Sequence, residues 1–74
     1  MIIVAKNSIS EKLVGKKVTV RHWHVGNRRE MTATGTLLGI DEKLLCVQLG
    51  EGMMANEVCV PMETVIDMTV HRDE

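Results

Sequence analysis

The chain has 74 residues, of which 45% are hydrophobic but only Trp23 is aromatic, and its formal net charge at pH 7 is −1. A chain this short makes one domain that hides only about 60% of its unfolded surface, so self-association would help it, and its core must be narrow and filled by Val, Leu, Ile and Met. Two cysteines are too few for a secreted disulfide scaffold, "MIIVA" is too short for a signal peptide, and no run nears the roughly 20 apolar residues of a membrane span; the expectation is a chain of the reducing cytoplasm with no membrane contact.

The charges are unevenly spread. Residues 1–37 carry seven basic and two acidic side chains, while residues 38–74 carry two basic and eight acidic ones. A basic surface facing nucleic acid, basic and acidic surfaces of neighbouring subunits facing each other, and ordinary solvated charge are the three readings.

In chain order, "MIIVA" is apolar and reads either as a strand or as a tucked-in arm. In "NSISEKLVG", Ser8 and Glu11 have the spacing of a capping box, Ile9 and Leu13 share a face, and Gly15 ends the turn. A short helix over about 8–14 follows. From Lys17 the period becomes two: Val18, Val20, His22 and His24 point one way, and Thr19, Arg21, Trp23 and Val25 the other. "GNRR" turns the chain, with Gly26 and Asn27 suited to positive backbone angles. "EMTATGTLLGI" is a second strand whose Gly35 and Gly39 mark a bend or a close backbone approach. "DEK" is a tight connection to "LLCVQL", in which Leu45, Val47 and Leu49 form one face and Leu44, Cys46 and Gln48 the other. "GEGMMAN" is a loop, "EVCV" and "VIDMTVH" are two more strands, and "PMET" between them fits one 3₁₀ turn. The expected fold is mainly β, a single domain over 1–74. Its short N-terminal helix precedes a strongly bent, five-stranded antiparallel small barrel over about 16–71.

The stretch "LVGKKVTVRHWHVGNRREMTATGTLLGIDEKLLCVQL", with Gly15, Gly35, Leu37 and Asp41, resembles the first motif of the Sm-like protein family, and "VCVPMETVIDMTV" resembles the shorter second motif. Together they cover about residues 9–70; other SH3-like barrels share part of this rhythm. The resemblance implies a homo-oligomeric ring, in which the fourth barrel strand of one subunit pairs with the fifth of the next, and binding of single-stranded RNA. Leu45, Val47, Val58, Val60, Val65 and Met68 are the corresponding interface candidates. Leu45 stands where the family presents a base-reading Asn, and Pro61-Met62 where it has Arg-Gly, so RNA is expected on a different surface. Its candidates are Arg21, Trp23, Arg28, Arg29 and Lys43, the tryptophan stacking a base and the cations meeting phosphates. The alternative is a structural or adaptor oligomer that contacts proteins without nucleic acid, through the "GEGMMAN" loop, with Met53 and Met54 as adaptable contacts, and an acidic surface.

His22 and His24 either extend the Val18–Val20 face to the barrel rim or, with a distant Cys, His71 or a carboxylate, hold a metal; the rim is the reading adopted, with no metal or cofactor expected. Symmetric closure of the hairpin around "GEGMMAN" sets Cys46 opposite Cys59, either as packed apolar side chains or as a redox-sensitive pair. With no glycine-rich phosphate loop and no paired carboxylates on one rigid element, no catalytic residues are assigned and the chain is not read as an enzyme.

Overall fold

The computed structural model describes residues 2–24, 26–50 and 52–71. Six antiparallel strands form one sheet: β1 (Ile2–Ala5), β2 (Lys17–Trp23), β3 (Glu30–Ile40), β4 (Leu44–Leu49), β5 (Asn56–Pro61) and β6 (Val65–Val70), in the spatial order β1-β6-β2-β3-β4-β5. The bounds of β3 and β4 coincide with the alternating segments in the sequence. Val25, expected at the end of β2, lies outside the described residues, as does the side chain of Met54.

The sheet has to curl. Strand β5 lies at one edge and β6 next to the other, yet only the single 3₁₀ turn Met62–Thr64 joins them, and three residues cannot cross a flat sheet whose strands are about 4.8 Å apart. Strand β3 carries the bend: its first half pairs with β2 through Thr36, and its second half pairs with β4 from Thr36 to Ile40, with a register shift between Leu37 and Gly39. Gly35 sits at the handover, where an added Cβ would overlap the Gln48 carbonyl and press on Val47. Only glycine lets the two backbones approach so closely. Among the described residues no ladder closes the sheet, so the curled surface keeps two open edges, β1 and β5.

The concave face is the core. Val18, Val20, Ala33, Leu37, Leu45, Val47, Val60, Val65, Met68 and Val70 are buried, and Val4, Ile9, Leu13, Ile40, Leu49, Val58 and Met62 pack around them. Short aliphatic side chains fit because a tightly curled sheet leaves room for little else. The other face is polar along β2, β3 and β6, where Thr19, Thr34 and His71 touch: the two hydroxyls lie 2.9 Å apart, and Thr19 Oγ1 is 2.7 Å from His71 Nε2.

Two expectations change. The segment expected to be a helix over 8–14 consists of two single 3₁₀ turns, Lys6–Ser8 and Glu11–Leu13, and neither Ser8 nor Ser10 accepts a capping hydrogen bond through its side chain. Tertiary demands override the local signal, since Ile9 and Leu13 must both reach the core while Gly15, at φ +92°, hands the chain to β2. Among the described residues the strands number six rather than five and form an open sheet rather than a closed barrel, because "IIVA" is a strand that pairs with β6 from Ile2↔Val70 to Ala5↔Asp67 and no ladder joins β1 to β5. Of the interface candidates, Leu45, Val47, Val60, Val65 and Met68 have their side chains closed inside one copy, and Val58 packs against that core. Moreover β6, the fifth barrel strand of the sequence reading, already has β1 and β2 as neighbours. No helix of the described residues is long and apolar enough to cross a membrane.

Candidate nucleic-acid interface

The hairpin between β2 and β3 gathers most of the candidate side chains at its tip. Strand pairing runs to Trp23↔Glu30, after which His24 N–H donates to the Arg29 carbonyl (2.7 Å) and Arg28 N–H to the His24 carbonyl (3.1 Å). Side chains complete the turn: His24 Nδ1 accepts from Gly26 N–H, and Asn27 Oδ1 accepts from Arg29 N–H, both at 3.1 Å. Positive φ falls on Arg28, at 55°, and not on Gly26 or Asn27. A long side chain in this region costs about 1 kcal/mol. The hairpin bears that cost and presents a guanidinium.

Trp23 and Arg28 line one open hollow, with Trp23 48% exposed. Arg29 is exposed beside them, and no ion pair engages Arg28 or Arg29 among the described residues. The hollow therefore offers an aromatic face and a cation at one turn, the chemical requirements for stacking a base and holding its phosphate.

Arg21 is differently placed. Its Nε and Nη2 donate to the two carboxylate oxygens of Asp67, at 2.8 and 2.6 Å, and Nη1 reaches Glu30 at 3.3 Å. Its hydrogen bonds to Asp67 hold the guanidinium charged and pull the Asp67 carboxyl below the usual carboxylate range. Two carboxylates thus neutralise the middle of the outer face. Lys43, in the turn before β4, lines a separate hollow with Glu42, Pro61 and Glu63. That turn is built on Asp41, whose Oδ1 accepts from the N–H groups of Leu44 and Lys43, both at 2.7 Å; these bonds lower its carboxyl from the ordinary value.

A second cationic area escaped the sequence reading. Lys12, Lys16 and Lys17 rim a groove floored by Ile2, Val4, Leu13, Val14 and Val70, with His71 at its wall. The density of lysine in "EKLVGKK" was the available signal, but its convergence depends on β1 lying across the same end of the sheet. His22, His24 and His71 do not converge on a metal site: His71 bonds Thr19, whereas His22 and His24 line a groove beside Val58, Cys59 and Val60.

Cys46 and Cys59 are paired in register across β4 and β5 and form a disulfide, with Cα atoms 4.0 Å apart. The opposition expected from the hairpin is present, and the sulfurs are bonded rather than merely packed. Comparison with protein-family models, curated proteins and solved structures returns no match.

Proposed function

We propose that the chain is an Sm-like oligomeric module of a reducing cytoplasm that binds single-stranded RNA through the tip of the β2–β3 hairpin. The observation that carries the reading is the hollow shared by Trp23 and Arg28, with Arg29 adjacent. The strained backbone of Arg28 adds to it, because glycine would relieve the strain but present no cation. Arg21 serves as a strut that orients the strand beneath Trp23, its charge spent on Asp67 and Glu30. The lysine-rimmed groove at the other end of β2 is a second place for phosphate, so a bound strand would lie along the β2 direction. Base stacking on one tryptophan contributes about 1–3 kcal/mol, and the rest comes from counterion release, so binding must weaken steeply with salt.

The oligomer rests on the open edges. Strand β1 has exposed Ile2 and Ile3 and lies beside the lysine groove, whereas β5 carries Glu57. Pairing β1 of one copy with β5 of the next would satisfy both edges and join a basic side to an acidic one. This replaces the pairing of fourth with fifth strand. The adaptor reading draws on the same edges and on Met53, which is fully exposed.

Titration of the chain with a short unstructured RNA, followed by quenching of the Trp23 fluorescence, tests the site directly. Arg28→Ala with Arg29→Ala is expected to weaken binding about tenfold or more and to flatten the salt dependence. An unquenched tryptophan at low salt, with the oligomer intact by light scattering, selects the adaptor; a monomer at micromolar concentration removes the assembly.

A further inference from the structure

We infer that Cys46, Cys59 and Glu57 form a redox-gated site for a thiophilic divalent cation such as Zn²⁺, closed while the disulfide is intact and open once it is reduced. One ligand atom from each of these residues already lies within 4.8 Å of the others. All three stand on the convex face of the β4–β5 hairpin: Cys59 opposes Cys46, and Glu57, two residues earlier on the same strand, opposes Gln48. The alternation of side chains therefore puts Glu57 and Cys59 on one face, and the longer glutamate arm reaches back toward the sulfurs.

The spacing suits the ion. Zn–S bonds of about 2.3 Å at a tetrahedral angle require sulfurs roughly 3.7 Å apart. Directly opposed strand positions, here with Cα atoms 4.0 Å apart, bring two thiolates to that separation by side-chain rotation without moving the backbone. Two thiolates and one carboxylate are a donor set that favours Zn²⁺ over Mg²⁺ or Ca²⁺, with water completing the tetrahedron. Glu57 and Cys59 are exposed, so an ion and a reductant can both reach the site. Cys46 and Glu57 also line a groove with Asp41, and no lysine or arginine among the described residues lines it. The local field therefore favours a cation.

The chemistry balances. A dithiol reductant supplies two electrons and two protons, its own sulfurs joining as the Cys46–Cys59 bond breaks to give two thiols. The divalent cation then displaces both thiol protons into solvent. In a reducing compartment the ion would replace the covalent bond as the clasp of an edge hairpin.

The test uses the full chain, reduced with a phosphine that is then removed without oxygen, and titrated with Co²⁺ and Zn²⁺. One ion per chain by native mass spectrometry is expected, together with sulfur-to-cobalt charge-transfer absorption and the visible bands of tetrahedral cobalt. The oxidised chain and the Cys59→Ser variant should show neither. Glu57→Gln, a surface change that leaves the fold intact, should weaken binding about tenfold or more. If the reduced chain loses its circular dichroism, recovery on adding Zn²⁺ supports the site. Absence of charge transfer in the reduced chain, failure of Zn²⁺ to restore a lost fold, one ion shared by two chains, or a Glu57→Gln affinity equal to the parent's would each overturn it.

Discussion

The β2–β3 and β4–β5 hairpins are built from similar alternating segments but are held by different means. The first is joined by seven residue pairs, and its strand β2 is paired again on the other side by β6, while β4 meets β3 only from Thr36 onward. The second is peripheral: among the described residues β5 has β4 on one side and no strand on the other, and the disulfide bridges this hairpin. Backbone pairing on both sides holds β2, and the tip that follows it keeps Arg28 at a positive φ. Strand β5 is paired on one side only, and a covalent bond ties it to β4.

The largest effect should come from the core both hairpins share. Leu37, fully buried on β3 between them, is expected to cost about 3–4 kcal/mol on replacement by alanine, seen as a lower urea midpoint. A loss below 1 kcal/mol would mean that the concave face is not the common support. Next comes the covalent bond, which joins residues 13 positions apart; opening a loop of that size by Cys46→Ser with Cys59→Ser should cost about 3 kcal/mol. Hydrogen exchange sharpens the contrast, because protection should fall in β5 well before it falls in β2. Equal loss in both hairpins would break the comparison.

Smaller changes probe the hairpin tip and the outer face. Arg28→Gly should stabilise the chain by about 0.5 kcal/mol, because glycine adopts φ 55° without strain, while RNA affinity declines; stability and binding would then move in opposite directions. The least effect is expected from the Arg21–Asp67 pair. Asp67 has its folded pKa depressed, chiefly by the hydrogen bonds from Arg21, so the stability it contributes is present above its unfolded value, about 3.9. That contribution is lost as pH falls through the lower folded value. Asp67→Asn should therefore slightly destabilise the chain at neutral pH and soften the acid limb of its denaturation below about pH 4. A pH profile identical to the parent's would show the pair to be energetically silent, as many exposed ion pairs are.

Of the candidate site, the sequence made legible the side chains but not their partners. Trp23, Arg28 and Arg29 were recognisable because they crowd one predicted turn. The neutralisation of Arg21 was not, since Asp67 lies 46 positions away and becomes its neighbour only through the β2–β6 ladder. The same holds for Glu57, which joins the two cysteines through strand register and has no sequence motif to announce it.

Alternation of apolar and polar residues by itself determined the strands β2 to β6, the bend at Gly35 and the 3₁₀ turn before β6, because side-chain direction and backbone permissiveness are properties of a few neighbouring residues. Only the tertiary structure decided that Ile2–Ala5 is a strand on β6, that residues 6–13 form two 3₁₀ turns, and that the aliphatic faces of β4, β5 and β6 seal one another within a single copy. Those outcomes depend on which distant segments share an edge or a cavity, and local pattern carries no record of that pairing.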